Sequence, residues 1–501
     1  MISEKDYKQL QASGRSNELV QRQYEFLING SSLLKEIRPA RVGDGINKFS
    51  KKEEEEALQS FQTQADVKRW MKFVPASGAA SRMFAPLHAL QQAINQKNFD
   101  LNAYQKTPQG KEISKLIENV KRLPFFGSIH AKILEDKKIT VENQEAYFLA
   151  FVQKVLSQFV SYPKALIPFF VDDQGKDWTS FEAQLQEAIN LGHKNSPVPL
   201  HLTIDKAHKD LFDEVVQRFQ QKKEGKEKQT FYIEYSHQHR LTDTPFIDGN
   251  KKWVRDEDGA IAFRKGGHGS LLENLNHLDA DCVWIKNVDN ILLGEVNAEG
   301  EKWMKILAGK LLHLQEDLFK HLQSLEKLKD KTKLEPIVAF IQSNFNPRFN
   351  LNSKAKMSHE VLFDYLYRPL RICGMIPAFG AVGGGPFWKK VMRGESLQII
   401  EGVELDPTDA AHAKAIAGST HFNPVMMVCG ITDHLGEKFS LYDFRDDKRF
   451  MISKKMQENM DINILEWPGL WNGGMAEWNT IFIELPTQTF NPVKTVMDLI
   501  R

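Results

Sequence analysis

The hydrophobic positions change period along the chain, and that change predicts most of the elements. Residues 1–70 are polar with helical spacing, and "KKEEEE" (51–56) reads as a solvated helix face. An apolar run then ends at Phe73-Val74-Pro75, small residues follow, and Met83, Leu87, Leu90 and Ile94 recur at helical spacing. Residues 85–160 read as helices, with "EAYFLAFVQKVLSQFV" strongly apolar. From 163 to 290 strands alternate with helices. "VPLHLTI", "TFYIEYS" and "DCVWIKNV" are strands, "HKDLFDEVVQRF" is a helix, and "QQKKEGKEKQ" is an exposed loop. Thr179 and Glu182 form a capping box before Phe181, Leu185 and Ile189. Residues 301–330 return to helix, and short strands with Gly-rich turns follow 370, ending in "TIFIEL".

This alternation predicts an α/β protein with a mainly parallel sheet covered on both faces. The expected segments are an N-terminal helical region (1–70) and an α/β core (71–300) with a helical insertion at 85–160. A helical insertion (301–365) and a mixed C-terminal part (366–501) follow. Composition adds exclusions. Lys+Arg (66) nearly cancels Asp+Glu (65) in 501 residues, so no global field favours nucleic acid or an acidic membrane. No run approaches the length of a membrane span, and the start shows no basic-then-apolar leader. Cys282, Cys373 and Cys429 stand apart in apolar surroundings, which predicts core packing rather than disulfides or zinc. A cytoplasmic protein is the expectation.

The chemistry begins with "VPASGAASRM" (74–83), a small-residue turn between a strand and a helix. Free N–H groups at a helix start favour an anion, and Arg82 adds a charged donor for phosphate. The competing reading is a tight connection with Arg82 in a surface salt bridge. His237-x-His239 lacks a third metal ligand, and Asp279-Ala280-Asp281 precedes its strand, the wrong sheet edge for a substrate metal.

Further stretches follow in order: "YPKALIPFF" (162–170), Gln238 after a strand, "FRKGGHGSLLENL" (263–275), and "VWIKNVDN" ending on Asp289-Asn290. With the turn, they resemble the sugar-1-phosphate nucleotidyltransferases, especially the UDP-sugar pyrophosphorylase branch. Members carry a G-x-G-[ST]-R-[ML] loop, a P-K pair, a Gln after a strand, a P-x-G-[HN]-G turn and a strand-terminal D-N. The whole chain, with "GGGPFW" (383–388) and "LWNGGMAEWNTIF" (470–482), looks like a bacterial domain family within that superfamily. The superfamily motifs cover residues 72–84 and 162–292.

The resemblance implies a Rossmann-like nucleotide-diphospho-sugar transferase sheet with helical insertions and a C-terminal α+β region. It implies an enzyme that joins a nucleoside triphosphate, UTP favoured, to a sugar 1-phosphate. Ala76, Ser77, Gly78, Ala79, Ala80, Ser81 and Arg82 would cradle the triphosphate, and Lys164 would neutralise it. Gln238, Gly267, His268 and Gly269 would read the base, and Asp289 would bind Mg²⁺. Arg371, Gly384, Gly385 and Asn423 are candidates for substrate contact, and Lys455 for a second phosphate cation. Three departures stand out: Ala80 replaces the loop's second glycine, Lys265 replaces the turn proline, and the P-K pair lies far downstream. A glycine at that loop position would predict positive φ, so Ala80 predicts an altered turn. The rival functions are a glycosyltransferase using a nucleotide-sugar and a non-catalytic nucleotide-binding regulator.

Overall fold

The computed structural model describes residues 2–500 apart from 31–33, 136–138, 140, 193–195, 223–230, 328–333, 351–357, 379–383, 458 and 459. Of the expected charged loop at 220–229, residues 220–222 instead close the helix Lys209–Lys222, and the rest, like part of the Gly-rich turn near 383, lies outside the described residues. The chain forms two compact units. One comprises Met1–Phe73, Ser236–Lys286 and Lys302–Thr487; the other comprises Val74–Tyr235, Asn287–Glu301 and Gln488–Arg501. This division differs from four consecutive segments, because strands distant in sequence pair with one another.

In the first unit the order across the main sheet is Arg41–Val42, Gly45–Asn47, Asn479–Glu484, Leu370–Pro377, Met426–Gly430, Cys282–Lys286 and Trp70–Pro75. All neighbours are parallel except at Met426–Gly430, which runs against both Leu370–Pro377 and Cys282–Lys286. The carboxyl ends of Trp70–Pro75, Cys282–Lys286, Leu370–Pro377 and Asn479–Glu484 thus share one edge, where ligands of open α/β sheets bind. The N-terminal region is not purely helical: Ile37–Pro39, Arg41–Val42 and Gly45–Asn47 are strands. Two smaller sheets complete this unit, with orders Ile37–Pro39, Gly385–Val391, Gly394–Ile400 and Phe263–Arg264, Thr244–Asp248, Met460–Glu466, Met451–Gln457.

The helix Lys51–Gln64 opens on a Ser50–Glu53 capping box and covers the sheet through Phe61. Phe61 meets Trp70 and Trp284, whose rings stack at 4.2 Å between centroids. Trp284 Nε1 donates to the Met304 carbonyl at 3.0 Å, tying in the long helix Ala298–Lys327. All three cysteines are buried, and burial pushes the Cys282 thiol up to about 12 and Cys373 to about 11.

The second unit has two cores. Helices Ala85–Ile94, Gly110–Asn119, Phe126–Leu134 and Gln144–Phe159 enclose an aromatic cluster that includes Phe84, Phe125, Phe151 and Phe159. The other core joins Val74, Phe181, Leu202 and Phe212. The capping box expected at Thr179 is present: its hydroxyl accepts from Glu182 N at 3.1 Å, and Glu182 accepts from Thr179 N at 2.7 Å.

One close approach fixes the helix layer of the first unit. A Cβ on Gly309 would stand 1.7 Å from the Ala57 carbonyl oxygen. We expect Gly309→Val to force the two helices apart at a cost of about 1–3 kcal/mol. Thermal denaturation followed by tryptophan emission reads it; an unchanged melt would refute the close packing.

Candidate active site

Within the second unit, the strand ending at Pro75 releases Ala76–Ala79 in irregular backbone, followed by a 3-10 turn at Ala80–Arg82. The helix begins only at Ala85, with Pro86 in its first turn, where a missing N–H costs nothing. Arg82 therefore sits on the short turn and not at the helix start as its sequence position suggested. It is exposed, with no side-chain partner among the described residues.

The loop is shaped by its neighbours. Ala76 N donates to the Thr203 carbonyl at 2.9 Å, and Ala80 N donates to the Tyr162 carbonyl at 3.3 Å. Both side chains are buried, so Ala76 and Ala80 build the loop and have no free N–H for a phosphate. Ala80 in place of glycine has a packing reason: its methyl joins Met83, Phe84 and Leu87 in the core. No residue from 76 to 82 has positive φ, so the turn does not need the second glycine. Ser77, Gly78 and Ala79 keep N–H groups without a protein acceptor among the described residues, and Gly78 and Ala79 are exposed.

Lys164 comes to this loop from a segment far along the chain. Ala79 and Pro163 form an isolated antiparallel bridge, in which Lys164 N donates to the Gly78 carbonyl at 3.0 Å. Lys164 opens a 3-10 turn, Lys164–Leu166, rather than a strand, and buried Ala165 and Leu166 anchor it. Its ammonium pairs with Asp289 Oδ2 at 2.5 Å. The side chains are 17% and 22% exposed, so the pair is partly desolvated and its attraction exceeds that of a surface ion pair.

Asp289 is fixed by residues that sequence reasoning missed. Gln184 Nε2 donates to the Asn287 carbonyl at 3.1 Å, and Val493 N donates to the Asp289 carbonyl at 3.2 Å. Asn290 Oδ1 accepts from Asn491 N at 2.9 Å. Gln184 had a signal, a polar residue beside Phe181, Leu185 and Ala188 on a buried helix; Asn491 and Val493 had none. Asp289 thus offers one carboxylate, and no group of three or more His, Cys, Asp or Glu among the described residues could hold a metal ion.

The other candidates belong to the first unit. Asn274 Nδ2 donates to Ser236 Oγ (2.8 Å) and the His237 carbonyl (3.0 Å), which ties the Gln238 loop to the helix after the glycine turn. Gln238 itself donates weakly to Asp243 at 3.4 Å. Gly267 has φ +75°, and a Cβ there would meet Glu466 Oε2 at 2.5 Å. A Cβ on Gly269 would meet the Pro468 carbonyl oxygen at 2.2 Å. His268 stacks on Trp471 at 4.4 Å and faces Glu401 at 3.4 Å. Burial pushes the Glu401 carboxyl up, but the His268 hydrogen bond and nearby Trp471 and Arg449 outweigh it, leaving the group below its usual range. The turn is thus packed closely against its own chain.

The five remaining candidates sit in or beside strands of this unit. Arg371 lies at the amino end of its strand, fully buried, donating to Thr480 Oγ1 and the Trp471 carbonyl; it does not reach the carboxyl edge. Asn423 is spent internally, donating to the Gly374 carbonyl (2.9 Å) and accepting from Val425 N (3.0 Å), which holds Val425 at φ +56°. Gly384 and Gly385 allow close packing, since a Cβ would meet Ile399 or Phe387 at 2.7 Å. Lys455 is exposed on the edge strand Met451–Gln457, where a lysine discourages edge pairing. The Asp279-Ala280-Asp281 carboxylates clamp Arg69, with Asp281 at 2.8 Å.

The profile of one protein family, described as Domain of unknown function (DUF4301), matches residues 3–501. The chain belongs to this family. A comparison with curated proteins gives no match. Among solved structures, a UDP-glucose pyrophosphorylase mutant from Leishmania major in complex with UDP-glucose is similar at 11% identity and a TM-score of 0.46, over 99% of this chain and 77% of that one. The uridine diphosphate N-acetylglucosamine pyrophosphorylase from Trypanosoma brucei is similar at 12% identity and a TM-score of 0.47, over 100% and 79%. Among the described residues, no helix of this family member is long and apolar enough to cross a membrane.

A stability measurement separates packing from ligand contact at Asn423. Asn423→Ala strands the Gly374 carbonyl and leaves Val425 N without its acceptor. We expect a loss of about 1–3 kcal/mol in denaturant unfolding. Unchanged stability would contradict the structural role.

Proposed function

We propose that the protein is a nucleotidyltransferase that forms a nucleotide-sugar and pyrophosphate from a nucleoside triphosphate, UTP in the first place, and a sugar 1-phosphate. One observation carries this reading: Lys164, remote in sequence from both, bonds the Gly78 carbonyl through its backbone and pairs with Asp289 through its ammonium. The motif order of the sequence supports it, because these residues match the superfamily's loop, P-K pair and strand-end Asp.

The chemistry asks little covalent work of the protein. A phosphate oxygen of the sugar 1-phosphate, already ionised, attacks the α-phosphorus; the bond to the pyrophosphate leaving group breaks, and no general base is needed. Positioning two polyanions and neutralising developing charge supply the catalysis. The N–H groups of Ser77, Gly78 and Ala79 donate to phosphate oxygens, and Arg82 and Lys164 provide the cations. Asp289 would hold Mg²⁺. Mg²⁺ takes only one or two protein carboxylates and keeps water and phosphate as its other ligands, so a single Asp suffices for that role. When bound, the ion neutralises phosphate charge.

Two experiments test the reading. Pyrophosphate release is measured for the four nucleoside triphosphates against a panel of sugar 1-phosphates. We expect turnover with at least one pair and a reduction of about 10²–10³ in Lys164→Ala, the scale for one preorganised donor. Lys164→Arg recovers only part, since a planar fork does not replace a compact ammonium. Absence of pyrophosphate release from every pair would overturn the assignment.

The second uses Gly78, where a Cβ would meet nothing within 4 Å. Gly78→Val should keep the thermal midpoint yet abolish the stabilisation that UTP confers on the native state by mass action. Full retention of UTP binding would show that phosphates do not approach this backbone.

A further inference from the structure

A cavity of about 280 Å³ lies in the first unit, at the amino ends of the strands Leu370–Pro377 and Asn479–Glu484. It shares no residue with the Gly78 loop, Lys164 or Asp289. Its walls come from the hairpin Gly385–Val391/Gly394–Ile400 and from the chain entering those two strands. Phe345, Tyr365 and Trp478 supply apolar surface, while Ser396, Asn479 and Thr480 supply hydrogen-bonding groups.

The charge around it is unbalanced. Arg368, Lys389 and Arg393 line the cavity against the single carboxylate of Glu477. Glu477 answers Arg368 at 2.9 Å and is itself 52% exposed. Arg368 is also laid over the Tyr365 ring, 5.1 Å from its centroid, which orients the guanidinium. Lys389 reaches Asp446 only at 3.5 Å. Arg393 has no side-chain partner among the described residues, yet its backbone is fixed, because Asn346 Nδ2 donates to its carbonyl at 2.9 Å. The next residue, Gly394 at φ +115°, leaves no room for a Cβ against Asn346 and Arg348.

A fourth cation stands behind the wall. Arg371 is fully buried and donates to the hydroxyl of Thr480, a lining residue, at 2.8 Å. No carboxylate pairs with it among the described residues, and its Nη2 has no hydrogen-bond partner. Trp478 Nε1, on a side chain 2% exposed in the same lining, is also an unpartnered donor. A buried guanidinium without a counter-charge is costly, and unsatisfied buried donors are rare in native structures. Arg371 adds positive potential behind the wall, and the lining cations and the small volume converge on one chemistry.

We propose that this cavity is a binding site for a small phosphate monoester, separate from the residues of the proposed nucleotidyl transfer. Arg368 and Lys389 each have a carboxylate neighbour, Glu477 and Asp446, so the surplus charge is that of Arg393, and its guanidinium fork with the Arg368 fork suits phosphate oxygens. The organic part of the ester packs on Phe345, Tyr365 and Trp478. The site lies at the amino edge of the strands, so it is read independently of the transfer reaction.

The test is isothermal titration of the full-length protein with phenyl phosphate, with phenol as the uncharged control. We expect saturable one-site binding of phenyl phosphate, none of phenol, and affinity that falls as salt rises. Arg393→Ala should weaken binding by about ten-fold or more, the scale of a lost charged hydrogen bond. Met392 is a lining residue 96% exposed, so Met392→Glu adds a repelling charge without disturbing the core and should also weaken binding. Lys164→Ala should leave the affinity unchanged, which separates this site from the proposed nucleotide site. Absence of saturable phenyl phosphate binding, equal affinity in Arg393→Ala and Met392→Glu, or loss of binding in Lys164→Ala would each overturn the proposal.

Discussion

Two backbone hydrogen bonds hold the candidate active site together: Lys164 N to the Gly78 carbonyl and Ala80 N to the Tyr162 carbonyl. They join a strand-end loop to a segment that the chain reaches only after a series of helices. Backbone groups pair regardless of side chain, so this bridge sets the position of Lys164 without demanding a particular residue in the loop. Side-chain burial then locks it. Ala80 faces one core of the second unit, and Ala165 and Leu166 face the other. The ammonium is left to meet Asp289, the only carboxylate with which it pairs among the described residues.

The loop illustrates how packing and ligand approach divide the work within a few residues. Ala76 and Ala80 turn their methyls inward and use their N–H groups on the protein. Ser77, Gly78 and Ala79 keep theirs available. Glycine at 78 is required neither by φ nor by crowding, since its φ is not positive and a Cβ would meet nothing. The glycines at 267 and 269 are the opposite case, each closed in by the chain from 466 to 468. Similar Gly-rich strings therefore serve different physical ends, and local sequence does not distinguish them.

The two charged regions also differ in kind. Lys164 and Asp289 satisfy one another, so Arg82 is the cation of that loop without a side-chain partner among the described residues. The cavity at the amino edge collects cations from the hairpin and the strand entrances, and Arg371 adds a charge that no carboxylate offsets among the described residues. Uncompensated charge in a partly buried setting persists only where something else over-determines the fold. Here the sheet register fixes Arg371 opposite Cys429 and Thr480.

The sequence by itself determined the elements whose signals are local. The capping box at Thr179, the apolar helix Gln144–Phe159, the strands around 200, 284 and 481 and the buried cysteines all follow from spacing and composition. It also singled out the loop, Lys164 and Asp289 as a set, through motif order. Tertiary structure decided what depends on distant partners. It ran Met426–Gly430 against both of its neighbours, Leu370–Pro377 and Cys282–Lys286, and it drew Ile37–Pro39, Arg41–Val42 and Gly45–Asn47 into strands. It turned Asn423 inward to brace Val425, and placed Arg371 at the amino end of its strand. It paired Asp289 with Lys164, and enlisted Gln184, Asn491 and Val493 to hold that pair in place. The reason is that hydrogen-bond partners and buried neighbours are chosen by the whole fold, whereas periodicity and capping are settled within a few residues of chain.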